Sequence, residues 1–561
     1  MARAVDLGRR IDQGRGLEPA DLVIRGARIL AVADGSLDVG DVAIAGDTIV
    51  GVYDRYAGKH VIEAEGRIVA PGFIDTHVHL ESSMVAPAEF ERLVLPRGTT
   101  TAVWDPHELA NVLGTRGLDY ALAAAERLWM TVRVNLSSCV PSSPLETSGA
   151  RLEAADLVPF LDLPLTLGLA EVMNVPGVLA KDPGLLAKLE AFAGRHVDGH
   201  CPLLQGPDLA AYVAAGIRTD HECTRLEEAR EKLRKGLAIL MREGSVAKNV
   251  TTLAPLLTEQ TWMRIAFCTD DRNPLEILDE GHVDHALRLA IRAGTPPLAA
   301  YRSATFGAAQ IMGLHDRGIV APGMRADLVL LDDLESVAID HVICAGRVVG
   351  ALPPVGETSP TGRGSVTRPR ATAATFAMAD TGPRPVIGAR RFSLITDRLE
   401  RTPRVVDGQA VAGDGLLQLA VLERHGRNGD VGLAFVEGFG ELEGAIGASV
   451  GHDSHNLIVV GSTPEAMAVA VNRLIDLEGG AVVVRGEEVA AELALPVAGL
   501  MSDEPYEVAA AAMTALRHQA ADAGCTLPEP LLHLAFLPLV VIPHLKLSDQ
   551  GLVDVDAFAL L

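Results

Sequence analysis

The sequence predicts an α/β protein built on a TIM-like (β/α)8 barrel, with a small composite β-sandwich domain and a C-terminal α/β domain. Three observations support this fold class. Short β-type stretches alternate with Ala- and Leu-rich helical stretches in the region 72–317, strand-rich pieces lie on both sides of that region, and a further α/β region follows it. A chain of 561 residues is long enough for two or three domains.

The small composite β-domain is predicted from two separate segments. Residues 21–71 are predicted to form short strands and turns (DLVIRGARIL, DVAIAGDTIVGVY, RIVAPG). Residues 318–352 have the same strand-rich pattern (ADLVLLDD, HVICAGRVVG). Apolar runs rich in Val and Ile, bounded by Gly, Asp and Pro, are typical of strands. We therefore expect 21–71 and 318–352 to form one domain.

The barrel, residues 72–317, is predicted from eight β-type stretches separated by helical ones. Such alternation is the signature of a parallel sheet with crossover helices, and eight units match a closed barrel. The predicted strands are 72–79, 99–105, 131–136, 165–171, 196–200, 216–221, 236–241 and 264–270.

The end of the chain is predicted as a linker and a separate domain. Residues 353–385 are rich in Pro, Gly, Ser and Thr, which is typical of a connecting segment. Residues 386–561 read as a C-terminal α/β domain with helices over 464–475 and 504–522.

Composition and charge exclude several classes of protein. Apolar residues make up 48% of the chain, so a large core is expected. A formal net charge of −24 argues against a nucleic-acid partner and against an anionic membrane surface. The longest apolar run, 531–545, is shorter than the roughly 20 residues of a membrane-spanning helix. No apolar leader is visible at the N-terminus and the six cysteines show no paired spacing, which predicts a cytoplasmic protein with reduced thiols.

The stretch GFIDTHVHLESS (72–83) places three polar residues on one face of the first barrel strand. Asp75, His77 and His79 alternate with Ile74, Thr76 and Val78, and residues two apart in a strand share a face. A lone His-x-His is also compatible with buried structural side chains. In a barrel of this kind, however, functional groups lie at the C-terminal ends of the strands.

Polar residues also stand at the ends of other predicted strands. Imidazole and carboxylate groups are ligands of Zn, Mn and Fe. Taken singly, each residue has a structural interpretation, as a satisfied buried histidine, a salt-bridge partner or a helix cap. Together they predict a metal site, and six ligands are more than one tetrahedral ion uses, so a pair of ions about 3.5–4 Å apart is expected. The predicted metal ligands are His77, His79, Glu171, His200, His221 and Asp270.

The pattern resembles the amidohydrolase superfamily, and within it the adenine deaminase family. The resemblance rests on PGFIDTHVHLESSM (71–84), RGTTTAVWDPHELANVLG (97–114), GLAEVMN (168–174), DGHCP (198–202), TDHE (219–222) and FCTDDR (267–272). It continues in GHDSHNLIVVG (451–461) and VIPHLKLSDQGLVDV (541–555), so it covers nearly the whole chain. Many superfamily members carry a carboxylated lysine where Glu171 stands, and a glutamate needs no such modification.

The resemblance implies an adenine aminohydrolase of purine salvage or catabolism that acts on its small-molecule substrate as a dimer or larger homo-oligomer. Two divalent ions, Mn²⁺ or Fe²⁺ first and Zn²⁺ as an alternative, would lower the pKa of a bridging water. The resulting hydroxide would attack C6 of adenine, and Asp270 would pass its proton to the departing amine. Hypoxanthine and ammonia are the expected products.

The remaining roles stay open at this stage. Glu222 and Glu81 are both candidates for the acid that protonates N1 of the base. Asp105 and His107 are expected either to bind substrate edges or to support metal ligands, and Trp104 either to stack on the purine or to pack in the core. His455, within the cluster 452–456, is expected either to close over the base or to stabilise a turn.

Two other functions are compatible with the same scaffold. A cyclic amidohydrolase of the dihydroorotase or hydantoinase type would need no separate acid for a ring nitrogen and no long C-terminal domain. A non-catalytic metal-binding protein would be expected to have lost ligands, whereas every expected ligand position is filled. The zinc deaminases that combine H-x-E with P-C-x-x-C are excluded because no P-C-x-x-C occurs in the chain.

Overall fold

The computed structural model of the protein describes residues 7–391 and 393–561. Residues 1–6, part of the segment predicted to lack an apolar leader, lie outside the described residues, as does residue 392 in the predicted C-terminal domain. Within the described residues, no helix has both the length and the apolar content needed to cross a membrane.

A β-rich unit opens the chain. It contains one helix, α1 (Leu7–Gly14), and five strands, which are β1 (Ala20–Leu30), β2 (Leu37–Ala45), β3 (Thr48–Val52), β4 (Gly58–Glu63) and β5 (Ile68–Pro71). Its apolar residues alternate along the strands, so that Leu22, Ile24 and Ile29 share one core with residues from far along the chain. This core is completed only when the chain returns after the barrel.

Eight parallel strands follow and form the barrel wall. They are β6 (Phe73–Val78), β7 (Thr99–Trp104), β8 (Thr131–Leu136), β9 (Thr166–Val172), β10 (His196–Gly199), β11 (Thr219–Asp220), β12 (Ala238–Arg242) and β13 (Ile265–Cys268). Strands β6 to β10 pair in sequence order in one sheet, and β11 to β13 pair in another. Each of the eight predicted stretches overlaps one of these strands, and the predicted fold class is confirmed.

Helices connect the barrel strands and cover them on the outside. They are α2 (Pro87–Val94), α3 (His107–Leu113), α4 (Thr115–Ala125), α5 (Ala154–Leu157), α6 (Val175–Ala180), α7 (Pro183–Ala191), α8 (Gly206–Ala214), α9 (Leu226–Arg234), α10 (Val250–Leu253), α11 (Pro274–Asp279), α12 (Val283–Arg292), α13 (Pro297–Arg302) and α14 (Ala308–Ile311). Because helices cover the outer surface and side chains fill the interior, β6 and β7 are buried along their whole length.

Hydrogen bonds at the strand ends join the two arcs of the barrel. On one side the Arg218 N–H donates to the carbonyl of Val197 at 3.0 Å. On the other side the Asp270 N–H donates to the carbonyl of His77 at 3.0 Å, and the His79 N–H donates to the carbonyl of Asp270 at 3.2 Å. This second seam places the end of the last strand directly beside the two histidines of the first.

Three strands then complete the β-rich unit: β14 (Leu328–Leu331), β15 (Ile339–Cys344) and β16 (Arg347–Val348). Strand β14 runs antiparallel to β5, with Leu328 opposite Pro71 and Leu331 opposite Ile68. The eight strands of this unit are hydrogen-bonded as one sheet, in which β4 branches from β1.

The described part of the C-terminal region contains an eight-stranded sheet covered by helices, together with a separate two-stranded sheet and a separate three-stranded sheet. Its elements are β17 (Arg384–Gly388), β18 (Asp397–Arg401), β19 (Arg404–Val406), β20 (Gln409–Val411), β21 (Leu416–Leu422), β22 (Val431–Glu437), β23 (Gly444–Ala448), β24 (Leu457–Gly461), α15 (Pro464–Asp476), β25 (Gly480–Arg485), β26 (Glu488–Ala494), α16 (Tyr506–Asp522), α17 (Pro530–Ala535), β27 (Leu545–Ser548), β28 (Gly551–Asp554) and β29 (Ala559–Leu560). Along β21, Ala420 and Leu422 pack in the core under α15, whereas Leu419 and Val421 belong to a core continuous with that of the barrel.

The segment 353–383 between the two halves is held by side chains on both. The Val355 N–H donates to Glu89 of α2 at 2.6 Å, and the Ala371 N–H donates to Asn472 of α15 at 2.9 Å. Phe376 is fully buried in the core under α15. This part of the chain therefore contributes to the C-terminal core.

Phe376→Ala is expected to lower the free energy of unfolding by about 3–5 kcal/mol, because it removes a fully buried aromatic ring and leaves a cavity. Val355→Ala is the matched control in the same segment, since the Val355 side chain is 45% exposed, and it should change stability by less than about 0.5 kcal/mol. Urea unfolding followed by circular dichroism measures both. A loss of stability in Phe376→Ala as small as that in Val355→Ala would show that the Phe376 ring does not stabilise the core.

Candidate active site

Two histidines on β6 direct their ring nitrogens into the mouth of the barrel. His77 and His79 are buried, and their Nε2 atoms lie 3.3 Å apart. The Nδ1 of His79 donates to the carbonyl of Asp105 at 3.0 Å, and the Nδ1 of His77 donates to Asp198 at 2.7 Å. A carbonyl only accepts, so the Nε2 of a neutral His79 carries a lone pair directed towards His77.

The electrostatics around this pair favour positive charge. Burial alone would lower the pKa of His77, but Asp198 raises it to about 10. Burial would likewise lower the pKa of His79, which Asp270 and Glu171 hold well above its ordinary value. A position that raises the pKa of two adjacent histidines favours cations, and protons or a metal ion can fill it.

Glu171, at the end of β9, lies between two groups of histidines. Its Oε1 is 3.4 Å from the Nε2 of His79. Its Oε2 is 2.6 Å from the Nδ1 of His200 and 3.3 Å from the Nε2 of His221. Burial alone would raise the pKa of Glu171, but His200 and the other histidines hold it well below its ordinary value. Glu171 is therefore an ionised carboxylate with one oxygen facing each group.

Asp270 completes the ring of donors from the end of β13. Its Oδ1 lies 3.0 Å from the Nε2 of His79 and 3.5 Å from that of His77. Its backbone is left-handed, with φ of 55°, a conformation that Asp tolerates better than most residues. This turn lets Asp270 bond to β6 through its main chain while its carboxylate points at the histidines.

The six side chains predicted as metal ligands are thus brought together. They form overlapping groups in which all potential ligand atoms lie within 4.8 Å of one another, and Asp105 and Asp271 join two of these groups. Close, buried imidazole and carboxylate donors with ionised acids are the donor set that divalent transition metals bind. The arrangement fits a divalent-metal site.

An arginine at the end of β12 lies against the carboxylates of this site. Arg242 is 2.5 Å from Asp270 and is also paired with Glu222. Burial alone would raise the pKa of either acid, but Arg242 holds both below their ordinary values. Arg242 was not singled out from the sequence, although a basic residue ending the apolar run LAILMR was a usable signal.

Glu81 lies in a different environment from Glu222. It is buried after β6, where its two oxygens accept hydrogen bonds from the Trp104 indole at 2.8 Å and from the Leu109 N–H at 3.2 Å. Burial and the neighbouring Glu108 raise the pKa of Glu81 to about 7. Trp104 is fully buried with its N–H directed at Glu81, so the structure gives it this partner and no exposed face for stacking on a base.

Residues after β7 link the barrel to the C-terminal domain. Asp105 accepts from the His107 N–H at 3.1 Å, and the His107 ring lies 3.4 Å from Glu171. The carboxylate of the next residue, Glu108, lies 2.8 Å from the Nδ1 of His452. It also accepts a hydrogen bond from His455. The cluster 452–456 therefore reaches the barrel mouth of the same chain.

His455 contacts Glu108 and the main chain of its own loop. Its Nε2 donates to Glu108, its Nδ1 accepts from the Gly451 N–H at 3.3 Å, and the residue is 1% exposed. Both ring nitrogens therefore have protein partners, which agrees with the second of the two roles expected from the sequence, the stabilisation of a turn. The ring of His455 orients Glu108. Glu108 lies within the motif at 97–114, but it is not among the site residues predicted from the sequence.

A cleft opens between the barrel mouth and the C-terminal domain. It contains about 750 Å³ of empty space, including its opening to solvent. Ser82 and Asp271 line it on the barrel side, and His452 and Phe536, whose rings stack at 4.3 Å, line it on the other. Most other wall residues are apolar, including Met84, Val450, Leu495, Met513, Leu531 and Ala535. The cleft is therefore mainly apolar and reaches Asp271, the residue next to Asp270.

Comparison with known proteins identifies the class that this barrel and its rim define. Residues 68–349 match the amidohydrolase family, and residues 393–559 match the adenine deaminase C-terminal domain. The chain is 57% identical to adenine deaminases of Methylobacterium nodulans and a second Methylobacterium strain, with 99% of each chain covered. An adenine deaminase of Brucella abortus is 54% identical over 98% of this chain and 95% of its own length.

The chain belongs to the adenine deaminase family. The resemblance inferred from the sequence motifs is thereby confirmed.

The Glu108–His452 pair makes stability depend on pH. Burial alone would lower the pKa of His452, but Glu108 raises it to about 9. A histidine with a raised pKa in the folded state stabilises fully below its ordinary pKa of about 6.5, and this contribution is lost as pH rises through about 9. Between these values the wild-type protein should lose on the order of 3 kcal/mol relative to His452→Gln.

Urea unfolding of both proteins from pH 6 to 9.5 measures this difference. His518→Gln, at an exposed position on α16, is the control and should follow the wild-type profile. Parallel profiles for the wild type and His452→Gln would contradict the assignment of this charge pair.

Proposed function

We propose that the chain hydrolyses adenine to hypoxanthine and ammonia. The observation that carries the proposal is the convergence of four histidines and two ionised carboxylates at one end of the barrel, in a chain whose relatives are named adenine deaminases. The mainly apolar cleft that reaches Asp271 supports an uncharged substrate. Purine salvage or catabolism in the cytoplasm, by a homo-oligomer of two or more chains, is the setting we propose for the reaction.

The proposed cofactor is a pair of divalent ions, Mn²⁺ or Fe²⁺ first and Zn²⁺ as the alternative. His77, His79 and Asp270 would hold one ion, His200 and His221 the other, and Glu171 would serve both through its two oxygens. Ions bound there supply a water of lowered pKa and positive charge opposite the developing negative charge. The two-sided contacts of Glu171 support this division of ligands.

Asp270 is proposed to move the proton in the reaction. Its carboxylate is held ionised by Arg242, so it can accept a proton from the attacking water. The same carboxyl can then release that proton to the departing amine. Arg242 keeps Asp270 oriented through its contact with Oδ2 while Oδ1 faces the histidines.

The ring nitrogen of adenine needs a proton before C6 becomes a good electrophile, and Glu81 is the proposed donor. A pKa of about 7 lets Glu81 carry a proton near neutral pH, as buried catalytic acids do. Glu222, paired with Arg242, is the weaker donor and is better suited to accept a hydrogen bond from substrate. Asp105 and His107 are proposed to support Glu171 and the edge of the base, and Trp104 to orient Glu81.

The proposed domain division has four parts, which are the composite β-domain of 21–71 and 318–352, the barrel of 72–317, the linker of 353–385 and the C-terminal domain of 386–561. The pairing of β14 with β5 supports the first of these parts. The contacts of Glu108 with His452 and His455 support a site that needs both the barrel and the C-terminal domain.

Metal-free protein reloaded separately with Mn²⁺, Fe²⁺ or Zn²⁺ tests the function. Ammonia release is measured with adenine, with adenosine and with other 6-aminopurines, and ring opening is measured with dihydroorotate and hydantoin. We expect turnover of adenine with at least one metal and none without metal. Opening of a cyclic amide without deamination of adenine would make the chain a cyclic amidohydrolase. Tight metal binding with no turnover would make it a non-catalytic metal-binding protein.

Paired substitutions test the donor assignment. Glu81→Gln should lower kcat for adenine at least about tenfold, because it removes the transferable proton while keeping the shape of the side chain. Trp104→Phe, which removes only the indole N–H that contacts Glu81, should have a smaller effect. Metal content is measured in parallel to separate a proton-transfer defect from loss of the ions. A large loss of kcat in Glu222→Gln with none in Glu81→Gln would assign the proton to Glu222.

A further inference from the structure

A lysine ammonium is enclosed behind two of the proposed metal ligands. Lys232 lies on α9 and has no exposed surface. Its Nζ donates to the carbonyl of Cys201 at 2.6 Å, to Glu228 at 2.7 Å and to Asp220 at 3.0 Å. An ammonium has three N–H bonds, so every donor of Lys232 has an acceptor.

The acceptors of Lys232 flank the two histidines in sequence. Cys201 directly follows His200, and Asp220 directly precedes His221. Asp220 also accepts the Cys201 N–H at 2.8 Å, so the loop after β10 and the end of β11 are tied together twice. These two strands are the place where the parallel pairing of the barrel wall passes from one sheet to the other.

Further contacts of the same network hold the loop that carries His200. Glu228 accepts the Leu203 N–H at 2.7 Å. On the other side, the Tyr212 hydroxyl accepts the His200 N–H at 3.0 Å and donates to the carbonyl of Val172, the residue after Glu171, at 2.6 Å. His200, His221 and Glu171 are therefore connected through a buried polar network, with Lys232 as its only cation among the described contacts.

The ammonium remains charged inside this network. Burial alone would lower the pKa of Lys232, but Asp220 and its other neighbours raise it above its ordinary value. The side chain of Asp220 is also without exposed surface and lies 3.0 Å from the ammonium. Each charge depends on the other, because an unpaired ion in this position would be strongly unfavourable.

We infer that Lys232 is a positioning residue, which fixes His200 and His221 at the spacing with Glu171 that allows all three to bind one ion. The inference rests on the proposed function, in which these three residues hold a metal. Residues behind metal ligands set ligand orientation, and their loss typically costs about 10–100-fold in metal affinity. His77 is held instead by Asp198, His79 by the carbonyl of Asp105 and Asp270 by Arg242, and none of these three is a partner of Lys232.

The inference predicts that the two ions respond differently to changes at Lys232. The main variant is Lys232→Met combined with Asp220→Asn, which removes the ammonium and one of its two carboxylate partners, and leaves Glu228 with the hydrogen bond from the Leu203 N–H. The readouts are the metal-to-protein ratio after dialysis and the two dissociation constants for Zn²⁺ from competition with a chromophoric chelator. We expect one site to weaken about 10–100-fold while the other keeps its wild-type affinity.

Two further variants separate positioning from general stability. Glu228→Gln keeps the ammonium and two of its acceptors, and should weaken the same site by less than the double variant does. Glu228→Gln also tests the role of Lys232 by itself if the double variant does not fold. Lys235→Met is the matched control, because Lys235 follows the same helix, is partly exposed and pairs with Glu231 at 2.8 Å. It should leave both dissociation constants unchanged.

The outcomes distinguish this inference from the proposal on which it rests. Wild-type affinity at both sites in the double variant and in Glu228→Gln would overturn the role of Lys232 and leave the proposed metal centre intact. Equal weakening of both sites together with a lowered unfolding midpoint would also overturn it, since that pattern indicates general destabilisation. A wild-type protein that binds no Zn²⁺, Mn²⁺ or Fe²⁺ would reject the metal centre and this inference with it.

Discussion

The contact of Glu171 with two groups of histidines is the interaction on which the rest of the site depends. One oxygen faces His79 from the first strand, and the other faces His200 and His221 from the fifth and sixth. So many buried ionisable groups are stable only if opposite charges lie beside them. Asp198 behind His77 and Arg242 behind Asp270 meet that requirement, and Lys232 meets it for Asp220, the residue before His221.

The sequence predicted the fold, and it predicted which polar side chains lie together at one end of the barrel, because both follow local rules. Strand and helix alternation identified the barrel, and the position of each ligand at a strand end follows from the direction of parallel strands. The supporting charges were harder to identify. Asp198 and Lys232 stand in ordinary strand and helix patterns, and only the tertiary packing shows that each faces a ligand or its neighbour.

Two of the predicted substrate contacts illustrate the same limit. In sequence, Trp104 at a strand end and His455 in a polar loop are each compatible with substrate binding and with support of neighbouring side chains. The contacts of each side chain in the folded protein bear on which role it has. The indole of Trp104 is enclosed and bonded to Glu81, and both ring nitrogens of His455 have protein partners. The orientation of a single side chain depends on neighbours distant in sequence, which local patterns do not specify.

The seam between β13 and β6 has a consequence for the order of events during synthesis. The main chain of Asp270 bonds to that of His77 and His79, so barrel closure and completion of the site are one event. Nearly the whole barrel has to be synthesised before His77 and His79 can bond to Asp270. N-terminal parts of a chain fold first during synthesis, so His77 and His79 are synthesised before the strand that completes the barrel beside them. The nascent chain therefore has no complete cation site to occupy until its last barrel strand has emerged.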